Sequence, residues 1–453
     1  MIVLTKLRSI LNRRVLSGWI YLIATGLGGA LIVGASSRYL PPEAAGTWFT
    51  LQSLFAFAVL AEFGTQIAGA RQIAYSFAAH LRDHERIGAA YFIDTRTGLA
   101  GVSDIMALLG YLRRYTLSLC AILCGALALA LEFNHLTSDA MKNTAMLSWL
   151  FMFAAALAQV DGFRYQSALE GVGRVAQERV VAATISMVTS LAIVAAILLS
   201  HSIIIMAMTW AIGMLATRFG LKRTFENSIG SLPAAAIDCE RSASSMLQVS
   251  GKIWLLSVGA TATRWAQVPI ISLMLGLENL PGYYLSLKIL NITSTSLGVF
   301  VQADRALFTQ DLAMGNYFPA KARLRRCIFL ILSGSIVLGI AFAASGHWLI
   351  TNWLRNPEAI TPETVYILAV DTSLTTFCGL FGQFIIATGR NPFIPTTLAS
   401  GAINVILLVI LLPSFGLSGA AISSLCAGLL TNYPYNIYQG WKLWKSLDAH
   451  ISV

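Results

Sequence analysis

Long apolar runs recur along the whole chain, and short polar segments separate them. Most runs are about twenty residues long. At about 1.5 Å rise per residue, a helix of that length crosses a bilayer core of roughly 30 Å. The pattern therefore predicts an all-α polytopic membrane protein with about twelve transmembrane helices. The predicted spans lie near residues 15–37, 47–70, 115–131, 144–163, 180–200, 203–219, 253–275, 283–302, 327–349, 365–388, 393–412 and 417–439.

Composition supports this class, and the distribution of charge predicts how the chain is oriented in the membrane. The chain has 453 residues, of which 56% are hydrophobic and 11% charged, against about 25% charged in a soluble domain. The net charge of +10 comes from basic residues between spans, so it indicates topology rather than nucleic-acid binding. Three of the 31 Lys and Arg residues lie opposite the termini: Arg38, Lys142 and Arg355. Arg264 and Lys288 lie within spans, and all others lie on the side of the termini, which the positive-inside rule makes cytosolic.

Two pairs of short segments match between the first and second sets of six spans. Residues 43–48 follow span one as residues 278–284 follow span seven, and residues 166–174 follow span four as residues 383–390 end span ten. Each set starts on the cytosolic side, so we predict two six-helix bundles related by a parallel pseudo-repeat, with a binding site between the halves near the midplane. The predicted domains are an N-terminal half (1–227), a cytosolic linker (228–250) and a C-terminal half (251–453).

Span seven carries an arginine, Arg264, at its middle. A central arginine costs about 2.5–3.5 kcal/mol on insertion scales, so it is expected to face a protein interior or a watery cavity. Thr261 and Gln267 lie on or close to the same helical face, and Pro269 predicts a kink. One interpretation is a transport pathway for an anionic substrate, with Arg264, Gln267 and Thr261 as binding residues. The other is a structural arginine paired with a carboxylate.

Further charges lie within or at the ends of spans. Lys288 belongs to a polar stripe with Asn291 in span eight, which indicates a cavity lining and two more substrate-binding candidates, although Lys288 is also near enough to the outer end to snorkel. Glu62 and Asp371 are candidates either for neutralising the cations or for coupling transport to a proton or sodium gradient. Asp161 is expected to pair with Arg164 three residues on.

Other motifs limit the function. The sequence contains no GxxxxGK[ST], no HExxH, no CxxC pair and no Cys/His metal spacing. The predicted outer loops are too short for a catalytic domain. We therefore predict a protein that is not an enzyme and that has no metal site and no cofactor. Ser103 and Asp104 are candidates for capping an interfacial helix on the inner leaflet, and an extension of span three is the alternative.

Several short motifs together resemble polysaccharide flippases of the Wzx type. These belong to the multidrug/oligosaccharidyl-lipid/polysaccharide exporter superfamily, which also contains multidrug and toxin extruders and lipid II flippases. The motifs are Arg-Tyr-Leu-Pro-Pro-Glu-Ala-Ala-Gly-Thr-Trp at 38–48, Glu-Phe-Gly at 62–64, Ala-Leu-Glu-Gly-Val-Gly-Arg at 168–174 and Gly-Leu-Ser-Gly-Ala-Ala at 416–421.

The resemblance implies a flippase in the bacterial inner membrane. Its substrate would be an undecaprenyl-diphosphate-linked oligosaccharide for O-antigen or exopolysaccharide assembly, and its partners would be membrane lipids and a glycan polymerase or chain-length regulator. It also implies alternating access with a cationic central cavity and an ion gradient, which would make the protein an antiporter. Arg264 is the position that carries over best. A cation-coupled multidrug exporter of the same superfamily is the main alternative, followed by a glycan polymerase or ligase and by a scaffold subunit.

Overall fold

Helices account for nearly all of the chain that the structure describes. The computed structural model describes residues 13–78, 98–133, 141–313, 315–356, 358–388 and 391–451, and these contain no β-strand. The α-helices are α1 Arg13–Tyr39, α2 Pro42–Val59, α3 Thr65–Ala78, α4 Gly98–Phe133, α5 Lys142–Gly171, α6 Val175–Ser200, α7 Ile203–Ile229, α8 Cys239–Trp265, α9 Gln267–Leu275, α10 Leu280–Ala313, α11 Tyr317–Leu354, α12 Pro362–Ala387, α13 Ile394–Leu430 and α14 Asn432–Ile451. The predicted all-α class is confirmed.

Ten helical stretches in the described part are long and apolar enough to cross a membrane. One of them, Ile394–Ala449, contains the last two predicted spans. Within it Gly416 leaves helical geometry, with φ 56° and ψ −140°. A Cβ on Gly419 would lie 2.5 Å from the carbonyl oxygen of Leu411. Gly419 follows Leu411 by eight residues, which would separate the two by about 12 Å in a straight helix. The close contact therefore shows that the chain turns back at Gly416. Span seven is divided between α8 and α9, and the structure thus holds ten to twelve candidate membrane helices.

The second predicted span, 47–70, is broken. Phe63 and Gly64 adopt left-handed backbone conformations, with φ 55° and 71°, and separate α2 and its final 3-10 turn from α3. Glycine is required at position 64 for two reasons. Its φ is positive, and a Cβ there would collide with the carbonyl oxygen of Ser250 and approach the backbone nitrogen of Trp254 to 3.0 Å. The break therefore lets α8 pack directly against the backbone of this segment.

The chain divides into two compact units. The first unit comprises Met1–Phe49 and Gly259–Val453, and the second comprises Thr50–Val258. The boundaries fall within α2 and within α8, because these helices contribute residues to both units. This division follows packing, whereas the predicted halves follow the sequence repeat. The six-helix halves and their linker therefore stay a prediction.

The second unit is built on α4, α5, α7 and the first part of α8. Helix α5 packs closely against α7 and α3, and α4 packs against α5. Helix α4 is continuous from Gly98, and Ile105, Leu108 and Leu112 are buried in the core of the unit. A helix lying on the leaflet surface would expose one face to lipid. The interfacial interpretation is therefore wrong, and the extension of span three is right.

Ser103 and Asp104 do not cap a helix, because they lie inside α4. Ser103 Oγ donates a hydrogen bond of 2.6 Å to the carbonyl of Pro233, and the backbone amide of Ala236 donates one of 2.8 Å to Asp104 Oδ1. These bonds attach the non-helical segment 230–238 to α4. The two polar residues thus satisfy backbone groups of the segment that joins α7 to α8.

In the first unit, α1 packs against α10 and α11. The two matched segments contain Gly46 and Gly282, and both glycines lie against a backbone carbonyl. A Cβ on Gly46 would lie 2.8 Å from the carbonyl carbon of Leu277, and one on Gly282 would lie 2.7 Å from that of Ala359. The absence of a side chain allows this approach. The sequence match therefore corresponds to a shared packing role.

Candidate functional site

Arg264 lies in the last turn of α8, in the first unit. The helix is interrupted two residues later, at Ala266. The kink expected from Pro269 is present as this break, since proline has no amide to continue the helical hydrogen bonds. A cation at a helix C-terminus is stabilised by the carbonyl ends of that helix. The Arg264 side chain is exposed and forms no ion pair or hydrogen bond with described residues, although it interacts electrostatically with Asp371 and Tyr433.

Asp371 on α12 is the buried carboxylate of this region. Tyr433 donates its hydroxyl proton to Oδ1 at 2.5 Å, and Ser424 donates to Oδ2 at 2.8 Å. Since the one proton of Tyr433 goes to the carboxylate, Thr375 is the donor in the 2.7 Å bond between the Thr375 and Tyr433 hydroxyls. Asp371 is thus held by neutral donors, with Arg264 near enough to interact but not paired directly. A carboxylate held by hydroxyl groups keeps hydrogen-bond partners in both its ionised and its protonated form.

Gln267, another substrate-binding candidate, lies at the start of α9. It is buried, with 2% exposure, and its amide is fully engaged. Tyr283 donates a hydrogen bond of 2.7 Å to its Oε1, and its Nε2 lies 3.4 Å from Asn404 Oδ1 and 3.5 Å from the carbonyl of Ala420. These bonds fix the start of α9 against neighbouring helices, and the role of Gln267 as a substrate contact stays a prediction.

Asn404 stabilises the break between α8 and α9. Its Nδ2 donates a hydrogen bond of 3.1 Å to the carbonyl of Thr263, and Ser423 donates one of 3.1 Å to its Oδ1. The carbonyl of Thr263 lies in the last turn of α8, where helical partners are absent. The same side chain therefore joins α13 to the turn that carries Arg264.

Lys288 lies on α10, one turn after Tyr284. The ring of Tyr284 lies 6.4 Å from that of Trp265, the residue after Arg264, so the two cations are on neighbouring segments. The Lys288 ammonium extends to α1, where a Cβ on Gly29 would lie 2.6 Å from Nζ. Lys288 is half-buried and has no hydrogen-bond or ion-pair partner among the described residues. An anion would complete its environment.

The two remaining substrate-binding candidates are accessible. Asn291 is exposed on α10, less than one turn beyond Lys288, and Thr261 is half-buried on α8, less than one turn before Arg264. Neither side chain makes a hydrogen bond within the described part of the chain. Both therefore have free polar groups near the two cations, and their roles as substrate contacts stay predictions.

Glu62, the second ion-coupling candidate, lies in the second unit, where it caps α3. The amide of Gln66 donates a hydrogen bond of 2.9 Å to Glu62 Oε2, and the Thr65 hydroxyl donates one of 2.7 Å to the Glu62 carbonyl. A negative side chain at a helix N-terminus is favourable. Glu62 forms no ion pair with a described residue, and its part in ion coupling stays a prediction.

Sequence reasoning missed Tyr433, Ser424 and Asn404. Tyr433 carried the clearest signal, since it stands before Pro434 within the last predicted span. Its partner Asp371 is 62 positions away, beyond the reach of helical periodicity. Among the described residues, no group of three or more His, Cys, Asp or Glu side chains is placed to hold a metal ion.

No protein-family model matches the sequence, and no curated protein matches it. Solved structures do match. An inward-facing multidrug resistance MATE family transporter of the MOP superfamily superposes with a TM-score of 0.70 at 12% identity, covering 95% of this chain and 99% of that chain. The lipid II flippase MurJ in an inward closed conformation gives 0.65 at 12% identity, covering 95% and 90%. A MOP superfamily transporter from Pyrococcus furiosus, described by the reverse polarity of its binding pocket, gives 0.67 at 13% identity, covering 96% and 95%.

The chain is therefore a multi-pass membrane protein with the fold of MOP superfamily transporters. Its structural neighbours are transporters and flippases rather than enzymes. The superfamily that the sequence motifs indicated is the one to which these neighbours belong. The Wzx-type assignment is finer than what this fold shows.

Proposed function

We propose that this protein is a Wzx-type flippase that moves undecaprenyl-diphosphate-linked oligosaccharides across the bacterial inner membrane for O-antigen or exopolysaccharide assembly. The observation that carries the proposal is the pair of cations in the first unit. Arg264 and Lys288 lie within predicted spans, lie on neighbouring segments and have no ion-pair partner among the described residues. Charges left unpaired in a spanning helix are costly, and a diphosphate is an anion suited to both.

The proposed mechanism assigns a task to each of four polar side chains near the proposed substrate site. The Arg264 guanidinium binds the diphosphate in a bidentate manner, because its planar fork matches two phosphate oxygens. Lys288 adds a point charge, and Asn291 and Thr261 supply hydrogen bonds. The lipid tail stays in the bilayer while the glycan passes through the protein by alternating access. We assign coupling to a proton or sodium gradient to Asp371, because its carboxylate interacts electrostatically with Arg264.

A multidrug exporter coupled to a cation gradient is the second candidate. Structures of MATE transporters match the chain with TM-scores from 0.59 to 0.70, on both sides of the 0.65 of the lipid II flippase, so the fold is equally compatible with this candidate. The buried carboxylate of Asp371 also supplies a negative group of the kind that a cationic drug would need. The two candidates differ in the sign of the substrate. Within the predicted spans of the first unit, Arg264 is exposed whereas Asp371 is buried, which favours an anionic substrate.

The test is a flipping assay in proteoliposomes with a fluorescent undecaprenyl-diphosphate oligosaccharide. Dithionite quenches label in the outer leaflet, so the rate of quenching reports flipping. We expect Arg264→Ala to lower the rate by about 10- to 100-fold, since a hydrogen bond to a charged group contributes about 1.5–3 kcal/mol. Arg264→Lys should retain part of the rate, because the charge remains but the bidentate geometry is lost.

Lys252→Ala is the matched control, since it removes an exposed cation from the same helix, twelve positions earlier. It should flip at the wild-type rate. Wild-type flipping by Arg264→Ala would refute the proposed role of this arginine. Efflux of a lipophilic cation such as ethidium by the wild-type protein, without flipping of the lipid, would favour the multidrug exporter.

A further inference from the structure

Three arginines from three helices surround one carboxylate in the second unit. Arg113 of α4, Arg164 of α5 and Arg218 of α7 direct their Nε atoms to it. The carboxylate is that of Asp161 on α5, with Oδ1 at 2.5 Å from Arg113 and 3.4 Å from Arg164, while Arg218 donates a hydrogen bond to Oδ2. We call these four residues the arginine cluster. The expected pair of Asp161 and Arg164 is present, but as part of a larger group.

The arginine cluster carries a surplus of positive charge. Three guanidinium groups and one carboxylate leave a net charge of +2, and Asp161 is only 4% exposed. The Nε atoms of Arg113 and Arg164 and Oδ1 of Asp161 are buried and lack an aligned hydrogen bond. Positive side chains held close together away from water are unfavourable unless an opposite charge compensates them. Asp161 alone does not balance three arginines.

A neighbouring carboxylate does not supply the balance. Thr65 lines the pocket at the arginine cluster, and Glu62 is one turn before it. The Glu62 carboxylate accepts from the amide of Gln66 and forms no ion pair with the cluster in the described part of the chain. The Arg113 side chain is 40% exposed, so a ligand can reach it. The cluster is therefore open to an anion from outside the chain.

An apolar groove adjoins the arginine cluster. It has a volume of about 560 Å³ and is lined by Phe63, Tyr115, Leu119 and Leu247 together with Leu112 and Thr116. The last two residues also line the pocket at the cluster. Tyr115 is 58% exposed and Leu247 38% exposed, so the groove opens at the surface of the unit. Positive charge and apolar surface thus meet along one side of α4.

We propose that the second unit binds an anionic phospholipid. Its phosphate lies on the guanidinium groups of Arg113, Arg164 and Arg218, and one of its acyl chains lies in the groove beside Leu119 and Leu247. The negative charge of the phosphate compensates the surplus positive charge of the arginine cluster. The acyl chain and the groove bury their apolar surfaces against each other. This site differs from the substrate site proposed at Arg264 and does not depend on it.

Arginine suits a phosphate at this place for a further reason. Each guanidinium uses its Nε toward Asp161, and no Nη atom of Arg113 or Arg218 has a hydrogen-bond partner among the described residues. Asp161 therefore orients the guanidinium planes while leaving their outer N–H groups free. A guanidinium fixed in this way loses little freedom when it binds phosphate.

The test measures lipid binding by native mass spectrometry of the purified full chain. Dioleoyl-phosphatidylglycerol is the anionic probe, dioleoyl-phosphatidylcholine is the neutral probe, and inorganic phosphate is added in a separate series. We expect phosphatidylglycerol to bind in preference to phosphatidylcholine. Arg113→Ala should weaken its binding about tenfold or more, whereas Arg114→Ala, which removes an exposed neighbouring arginine outside the cluster, should leave it unchanged.

Leu119→Trp tests the groove while it leaves every charge in place. It should weaken phosphatidylglycerol binding but not phosphate binding, and Ile122→Trp, at a 68% exposed position of α4 outside the groove, should change neither. Equal binding of the two lipids would overturn the proposal, as would wild-type phosphatidylglycerol binding by Arg113→Ala. Phosphate binding combined with no effect of Leu119→Trp would also overturn it, because the ligand would then be a free anion.

Discussion

The carboxylate of Asp371 is held by hydroxyl groups rather than by a direct ion pair. Tyr433 and Ser424 each donate a hydrogen bond to it, and Arg264 interacts from a greater distance. Neutral donors stabilise a carboxylate without preventing its protonation. The opposite arrangement holds at Asp161, where three arginines surround one buried carboxylate. Asp371 is therefore a buried carboxylate whose surroundings permit a change of charge.

We predict that Asp371→Asn removes coupling to an ion gradient. The amide is close in size to the carboxylate and still accepts the Tyr433 hydrogen bond, so the fold should be retained while the titrating group is lost. Flipping should then proceed at the same rate with and without a proton or sodium gradient across the proteoliposome. Glu62→Gln, which keeps an acceptor for the α3 cap, tests the other candidate in the same assay.

The matched control is Glu363→Gln, which neutralises an exposed carboxylate in the first turn of α12, the helix that carries Asp371. It should respond to gradients as the wild type does. An unchanged gradient response in Asp371→Asn would show that the carboxylate serves packing and hydrogen bonding only.

Breaks between consecutive helices position several of the polar groups of the candidate site. The break at Ala266 puts Arg264 at a helix end, and the break at Thr431 puts Tyr433 in the first turn of α14. At the break at Phe63 and Gly64, the carbonyl of Leu60 accepts a 3.1 Å hydrogen bond from the amide of Phe63 and a 2.8 Å hydrogen bond from Trp254 Nε1. Backbone groups freed in a membrane protein must find other partners. In each case a polar or aromatic side chain occupies the position that opens.

We predict that Gly64→Ala destabilises the protein more than Gly173→Ala. Both glycines have positive φ, 71° and 79°, so alanine is strained at each position. Only at Gly64 would the new Cβ also collide with α8, whereas nothing lies within 4 Å at Gly173. Overpacking of this kind costs about 1–3 kcal/mol.

The measurement is the apparent melting temperature of the two variants in detergent, followed with a thiol-reactive dye. Four of the six cysteines are buried, so their exposure reports unfolding. Equal melting temperatures for Gly64→Ala and Gly173→Ala would show that the contact between residue 64 and α8 does not contribute to stability.

Charge distribution over the whole chain sets its expected orientation. Nearly all lysines and arginines outside the spans lie on the side of the two termini, and the ten to twelve candidate membrane helices are compatible with that arrangement. The positive-inside rule acts on loops near span ends, which are short here. Orientation is thus a property of many residues together, and no single substitution is expected to invert it.

We predict that both termini are cytosolic. A green fluorescent protein fused after Val453 should fluoresce, and alkaline phosphatase fused at the same place should be inactive, because that enzyme folds only outside the cytosol. Alkaline phosphatase fused after Arg355, between α11 and α12, should be active. Active phosphatase at the C-terminus would reverse the predicted orientation.

Local pattern determined the class of this protein. Hydropathy alone gave the all-α membrane architecture and the approximate number and position of the spans, because a helix in lipid must satisfy its own backbone and cover itself with apolar side chains. Arg264 and Asp371 were also found by sequence, since any charge in an apolar span stands out. Pro269 predicted the break in span seven through its missing amide.

Tertiary structure decided which side chains meet. The partners of Asp371 and Asp161 come from residues up to 62 and 57 positions away, and helical periodicity relates only residues three or four apart. The break at Gly64 depends on the approach of α8, which local sequence does not contain. For the same reason, the sequence did not predict that helix packing would bury Gln267 among Tyr283, Asn404 and Ala420.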